Sequence, residues 1–248
     1  MKINQDKCIK CENCLPYCPV EAIIKKEGNV VVDYDECVEC NICYYSNVCP
    51  VDAFEPAKLD DELRAFRNTF SDPLQTHADT NVLGRGTEEM KTNDVTGNFK
   101  PGFVGVGIEL GRPGTGTRFY DVQKVAKTCA QYNVSFAKEN PVTTIMEDKS
   151  TGDIKDKYLN EKTLSAIVEF TLPIEELKDL LNSLEEVAKE VETVFSVEVI
   201  SKVVNEEKIP GLEEVEKYDY EAYPNGKVNV GLGRPRYNFA EGADNDDS

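Results

Sequence analysis

The chain has 248 residues, of which 40% are hydrophobic and 30% charged, and its formal net charge is −18 at pH 7. It is long enough for more than one domain, and its apolar runs are too short to span a bilayer. Nucleic-acid binding depends on Lys and Arg side chains that neutralise phosphates, so this charge argues against such a partner. The residues after Met1 do not resemble a signal peptide, and we expect a cytoplasmic protein with no membrane partner.

Eight of the nine cysteines lie in an internal repeat within the first 50 residues. The stretch from Asp6 to Cys14 returns as Asp35 to Cys43, and each copy then continues into a Cys-Pro pair. The second copy carries two extra residues, which lie between Tyr44 and Val48. Two residues between neighbouring cysteines suit metal thiolates better than a disulfide framework.

Each copy follows the Cys-x2-Cys-x2-Cys pattern with a later Cys-Pro, the run in which the last cysteine ligates the other cluster. The pattern predicts two 4Fe–4S clusters, one held by Cys8, Cys11, Cys14 and Cys49, the other by Cys37, Cys40, Cys43 and Cys18. Structural zinc is the alternative, but it commonly uses two CxxC pairs and leaves a third cysteine in each copy unexplained. Residues 1–56 resemble the dicluster bacterial ferredoxins, and this resemblance implies single-electron transfer.

The rest of the chain divides into three sections. Residues 57–98 form a connector, residues 99–236 a C-terminal section, and residues 237–248 an acidic tail that we expect to be disordered. Within the connector, helical spacing of apolar residues predicts one amphipathic helix through Leu59, Leu63, Phe66 and Phe70. The only histidine, His77, follows in a polar stretch and is predicted to be a solvated loop residue.

The C-terminal section alternates strands and helices. Strands are predicted at 103–110, 134–136, 164–172 and 195–204, with helices at 119–130 and 174–191. This β-α-β-β-α-β order predicts a ferredoxin-like plait, so the fold class of the whole chain is α+β. A polar insertion at 139–162 separates the two halves, and 228–232 is a fifth strand candidate. Cys129 lies on the apolar face of its helix, which predicts a buried, inert thiol.

Two loops repeat the four residues Leu-Gly-Arg-Pro, 122 positions apart. Each follows a predicted strand, and each brings backbone N–H groups close to a guanidinium, which suits a carboxylate or phosphate. The predicted anion- or substrate-binding residues are Gly111, Arg112, Gly114, Gly233 and Arg234. The alternative is that these loops are tight turns whose arginines pair with the chain's own carboxylates.

A second resemblance involves the stretches 86–94, 109–114 and 118–122, which look like proteins of the 6-hydroxynicotinate reductase family. It implies an electron-relay component of a ferredoxin-dependent reductase of a heteroaromatic ring and identifies no substrate. The expectation of a small carboxylated substrate comes from the loops of Arg112 and Arg234. Two alternatives remain open for the C-terminal section: a docking domain for a larger oxidoreductase complex, or a ligand sensor. Whether the chain is itself an enzyme stays open. Its acidity predicts redox partner proteins with a basic docking patch.

Overall fold

The computed structural model describes residues 1–81, 99–112, 114–204 and 208–218. These ranges contain both helices and strands, and the α+β content predicted from the sequence is confirmed. None of the helices in the described ranges has the length and apolar character needed to cross a membrane. The predicted strand at 228–232 and the predicted acidic tail lie outside the described residues.

Two short antiparallel strand pairs organise the N-terminal section (residues 1–56). The first pair joins the two ends of this section, and the second is a hairpin between the repeat copies. Glu27 and Gly28 form the hairpin turn with φ of 50° and 79°, as a two-residue type I′ turn requires. The strands are β1 (Lys2–Ile3), β2 (Ile23–Lys26), β3 (Asn29–Val32) and β4 (Phe54–Glu55).

The sequence repeat is also a repeat of backbone conformation. Positive φ is uncommon outside glycine, yet equivalent positions of the two copies share it, in the pairs Lys10 and Glu39, Glu12 and Asn41, and Glu21 and Asp52. The copies differ where the second is longer. A short 3-10 helix at Leu15–Tyr17 in the first copy is replaced in the second by one α-helical turn, α1 (Ile42–Tyr45).

The connector supplies the amphipathic helix that its apolar spacing predicts, α2 (Glu62–Ser71). Asp61 caps it, since the Asp61 carboxylate accepts a hydrogen bond from the backbone N–H of Arg64 at 2.9 Å. The helix begins later than predicted, because Leu59 precedes the cap. Phe66 and Phe70 face the C-terminal core, where both rings contact Phe119.

A four-stranded antiparallel sheet forms the centre of the C-terminal section. The strand order is β12-β5-β11-β7, and every neighbouring pair is antiparallel. The two central strands pair along their full length, from Phe103 opposite Pro173 to Leu110 opposite Ala166. The strands of the sheet are β5 (Phe103–Leu110), β7 (Ser135–Phe136), β11 (Ala166–Pro173) and β12 (Phe195–Ile200).

Helices α3 (Phe119–Cys129) and α5 (Leu177–Val187) share one core with this sheet. Alternate side chains of β5 enter that core, and all are fully buried: Val104, Val106, Ile108 and Leu110. The last described element is α6 (Pro210–Glu216), which packs beside α5 and β12.

The insertion predicted at 139–162 carries regular structure. It contains α4 (Pro141–Thr144) and a hairpin of β8 (Met146–Asp148) with β9 (Asp153–Ile154). After a 3-10 turn, β10 (Lys162–Thr163) pairs with β6 (Thr117–Arg118). This last pair lies next to the N-terminal section, so the insertion helps to join the two parts of the chain.

Candidate metal centre

Two cavities in the N-terminal section are each lined by four cysteines of the repeat. Cys8, Cys11, Cys14 and Cys49 line the first cavity, and Cys18, Cys37, Cys40 and Cys43 line the second. Each has about 350 Å³ of empty space, part of it open to solvent. Three cysteines of one copy therefore meet the Cys-Pro cysteine of the other. The individual ligand sets remain a prediction, which this grouping supports.

The other side chains around both cavities are mostly apolar. Ile3, Val30 and Phe54 line the first cavity, while Val20 and Val38 line the second. Clustered thiols in an apolar setting are soft ligands, the chemistry that iron–sulfur clusters require. The residues present therefore fit this kind of cofactor, which supplies single-electron oxidation and reduction when bound.

Backbone N–H groups donate to the two Cys-Pro sulfurs in the same way. The N–H of Ala22 lies 3.1 Å from the Sγ of Cys18, and the N–H of Ala53 lies 3.2 Å from the Sγ of Cys49. Each donor is four residues after its cysteine, so the motif itself positions the bond. Hydrogen bonds to ligand sulfur are one means by which proteins adjust cluster potentials.

Burial acts strongly on the second group of thiols. Removal from water raises the pKa of both Cys40 and Cys43 to about 12. Without metal these thiols keep their protons at neutral pH. Because the thiolate is the ligand, iron binding must release those protons.

The two cavities differ in what surrounds them. Around the second, Val20, Ala22, Val38 and Cys40 form one apolar cluster with Leu164 of the C-terminal section. The first cavity packs on a cluster of residues from the N-terminal section alone, including Ile3, Ile23 and Phe54. The C-terminal section thus contributes directly to the environment of the second cavity.

Arg67 of α2 forms hydrogen bonds with both the N-terminal and the C-terminal section. Its guanidinium donates to the backbone carbonyls of Tyr34 (2.6 Å), Asp35 (3.2 Å) and Cys37 (3.1 Å). It also forms an ion pair with Glu161 of the C-terminal section, and both side chains are nearly buried. Cys37 lines the second cavity, so this contact fixes the loop of a predicted ligand.

A second group of ion pairs lies at the edge of the same boundary. Glu36 accepts from Lys162 and from Arg118 (2.7 Å), and Arg118 also pairs with Asp35 at 2.9 Å. The hydrogen bond from Lys162 lowers the pKa of Glu36. Charges on β6 and β10 are therefore matched to acids of the second copy of the repeat.

The loop after β5 was one of the predicted anion-binding loops. Arg112 donates to Glu109 at 3.1 Å, as the tight-turn alternative expects. Gly111 has a φ of +86°, and a Cβ there would lie 2.8 Å from the backbone carbon of Gly116. The residue after Arg112 and the predicted partners Gly233 and Arg234 lie outside the described residues, so convergence of the two arginines stays a prediction.

The same loop makes a contact that the sequence reasoning missed. At Gly116 an added Cβ would lie 3.0 Å from Cγ1 of Val20, and at Gly114 one would lie 3.8 Å from the carbonyl oxygen of Pro19. The loop after β5 therefore packs against Pro19 and Val20, which follow the last cysteine of the first copy. The closely spaced glycines were the available signal, but they were assigned to ligand binding.

Two further side chains were also predicted. Cys129 is fully buried and burial raises the pKa of its thiol, as expected for an inert cysteine.

The prediction that His77 is a solvated loop residue was wrong. The His77 side chain is 7% exposed, and its ring packs edge to face against the ring of Phe70, with centroids 5.7 Å apart. Burial lowers the pKa of His77.

Comparison with known proteins identifies the cysteine framework. The family model described as a 4Fe-4S dicluster domain matches residues 1–55. Pyruvate synthase subunit PorD of Methanocaldococcus jannaschii is 50% identical over 52 residues, 21% of this chain and 58% of that protein. A ferredoxin of Rickettsia felis is 38% identical over 56 residues, 22% of this chain and 50% of its own. Ketoisovalerate oxidoreductase subunit VorD of Pyrococcus furiosus is 53% identical over 36 residues, 14% and 34% of the two chains.

These matches span 34 to 58% of the length of the curated relatives and 14 to 22% of this chain. No solved structure matches the chain. The predicted pair of 4Fe–4S clusters is confirmed, and the zinc alternative is set aside. The chain carries an iron–sulfur electron carrier of the ferredoxin type in residues 1–55. These relatives are not 6-hydroxynicotinate reductases, and that resemblance stays a prediction.

Proposed function

We propose that this chain is an electron-carrying subunit of a larger oxidoreductase complex, in which the C-terminal section holds the ferredoxin domain (residues 1–55) in place. The observation that carries the proposal is the buried contact of Arg67 with Glu161 and with three backbone carbonyls of the ferredoxin domain. A freely diffusing ferredoxin needs no such attachment. The relatives PorD and VorD are subunits of oxidoreductases, which favours a 2-oxoacid oxidoreductase as the complex.

The C-terminal section (residues 99–236) is, in this proposal, a ferredoxin-like plait that acts as a docking domain. The antiparallel sheet order β12-β5-β11-β7 supports it, because the fourth, first, third and second strands of the β-α-β-β-α-β series stand in that order. The connector at 57–98 links this domain to the ferredoxin domain through α2. The pairing of Arg112 with Glu109 gives little support to a carboxylate-binding reductase site at that loop.

Anaerobic purification of the tagged full-length chain tests the proposal. We expect oxidoreductase catalytic subunits to co-purify in fixed stoichiometry, and the clusters to be reduced when pyruvate or ketoisovalerate is added. EPR spectroscopy follows that reduction. A chain that purifies alone with full iron content, and that neither substrate reduces, contradicts the proposal.

A further inference from the structure

The two copies of the cysteine repeat have matching backbones but opposite exposure. Ile9 is 60% exposed, whereas its equivalent in the second copy, Val38, is 1% exposed. Cys11 is exposed, whereas its equivalent Cys40 is 7% exposed. Both segments carry the same positive-φ residues, so the difference comes from what lies against them and not from the fold of the loop.

The second copy is covered by the chain itself. Leu164 packs on Val38 and Cys40. Between these two, the carboxylate of Glu39 is 2% exposed and pairs with two cations, the N-terminal amine of Met1 and Arg64, whose Nε donates at 2.8 Å. The side chain of Asn68 donates to the Glu39 carbonyl at 2.8 Å. The loop of Val38, Glu39 and Cys40 is therefore covered by an apolar side chain, Leu164, and by a cation, Arg64, which both lie outside the repeat.

Among the described residues, none covers the first copy in this way. Lys10, the equivalent of Glu39, is exposed and makes no ion pair in the part of the chain that the structure describes. Ile9, Lys10 and Cys11, which we call the first-copy loop, lead directly to the first cavity, since Ile9 and Cys11 line it. A molecule that contacts this loop therefore approaches the cluster site held by the first group of cysteines.

We propose that the first-copy loop is the docking surface at which a redox partner exchanges electrons with this chain. The proposal rests on the electron-carrying function proposed above. The chemistry of the partner follows from the covered copy. There an apolar side chain lies on Val38 and a cation pairs with Glu39. At the first-copy loop the charge is reversed, so the partner presents an apolar side chain to Ile9 and a carboxylate to Lys10.

This assignment differs from the basic partner expected from the net charge of −18. The first 33 residues, which contain the first-copy loop, have five lysines and five acidic residues, so this stretch carries no net charge although the whole chain is acidic. Each exchange moves one electron between the reduced chain and a one-electron acceptor on the partner. It makes and breaks no bond and needs no proton.

The test uses the iron-loaded full-length chain, reduced anaerobically with dithionite, and two protein probes of opposite charge. One probe is an acidic flavodoxin and the other is basic cytochrome c, both one-electron acceptors. Lys10→Glu is compared with Lys189→Glu, which makes the same charge change at an exposed position beyond α5. Ile9→Ser is compared with Val203→Ser, which replaces a valine that is 53% exposed.

We expect Lys10→Glu to slow flavodoxin reduction by roughly fivefold at low salt, with the effect disappearing at high salt. Ile9→Ser should slow it as well, while the two control variants should match the unmodified chain. A binding readout accompanies the rates. Carbodiimide joins amines to carboxylates, so it should link Lys10 to a flavodoxin acid in a peptide identified by mass spectrometry.

Equal effects of Lys10→Glu and Lys189→Glu would overturn the docking assignment, because they would report net charge alone. Cross-links that join acids of this chain to cytochrome c lysines, with no Lys10 link to flavodoxin, would also overturn it. A loaded chain that passes electrons to neither probe would overturn the electron-carrying function together with this inference. A chain that passes electrons normally but ignores changes in the first-copy loop would overturn this inference alone.

Discussion

Arg67 and Glu161 form a buried ion pair between the connector helix and the C-terminal section, 94 positions apart in the chain. The same guanidinium satisfies three carbonyl oxygens of the ferredoxin domain. One side chain therefore neutralises a buried carboxylate and holds the loop that contains Cys37.

Removal of Arg67 should be strongly destabilising. Arg67→Ala leaves Glu161 buried without its partner, and breaking a buried pair from one side costs about 3–5 kcal/mol. Denaturant unfolding of the iron-loaded chain measures the change. Adding Glu161→Gln to the same chain should recover part of the loss, because no uncompensated charge then remains. Lys157→Ala, which breaks an exposed pair with Glu62, is the control and should leave stability unchanged.

The crossed cysteine sets can be tested with one ligand variant. Cys18 follows Cys14 closely in sequence but lines the cavity of the second copy. Cys18→Ser should therefore disturb the cluster of Cys37, Cys40 and Cys43 and leave the other intact. Iron analysis with EPR should show one normal cluster and one lost or altered cluster. Cys129→Ser should retain about eight iron atoms per chain. Loss of the first cluster in Cys18→Ser would contradict the crossed assignment.

The close approach of the glycine loop to the ferredoxin domain predicts a position-specific effect. Gly116→Ala places a Cβ 3.0 Å from Val20, whereas Gly102→Ala places one in open space. Their φ angles are similar, at +74° and +79°, so both variants lose about 1 kcal/mol from backbone strain. Only Gly116→Ala should also loosen the contact at Val20. Faster amide hydrogen exchange around Val20 and Leu164 in that variant alone would report this, and equal exchange in both variants would contradict it.

The cover over the second cavity should affect one redox potential. Leu164→Ala removes part of the apolar cover from Val38 and Cys40 and admits water. The reduced cluster carries more negative charge, so added solvation favours reduction and raises the potential of that cluster. Protein-film voltammetry should show one wave shifted upward and the other unchanged. Leu74→Ala, which truncates a leucine that is 71% exposed and lines neither cavity, is the control and should shift neither wave. If both redox potentials are unchanged in Leu164→Ala, the proposed effect of Leu164 on the second cluster is contradicted.

The parts of this structure that depend on local pattern could be predicted from the sequence. Cysteine spacing predicted the two groups of cysteines that line the cavities. The apolar run at 103–110 predicted β5, and two residues of the helix predicted at 174–191, Leu177 and Leu184, are buried in α5. Strand ends were less accurate, since β12 ends at Ile200 and not at Val204.

Long-range contacts could not be predicted in the same way. Nothing near Arg67 in sequence points to Glu161, and nothing near Leu164 points to Val38. His77 lies in a polar stretch, yet the ring of Phe70 covers it in the folded chain. In sequence, the glycines of the loop after β5 fit ligand binding and close packing equally well. The contact of Gly116 with Val20 shows the close packing, and ligand binding at Gly111 and Gly114 stays a prediction.

The contacts of helix α2 determine how well a chain without iron resists proteolysis. One face of the helix bonds to loops that the clusters organise, and the other enters the core beside Phe119. Because metal binding and folding are linked, a chain without clusters loses order in those loops and with it the contacts of Arg67 and Asn68. The helix is then attached by fewer contacts and is cut more readily by proteases. The presence or absence of the clusters would in this way determine how long the whole chain resists proteolysis.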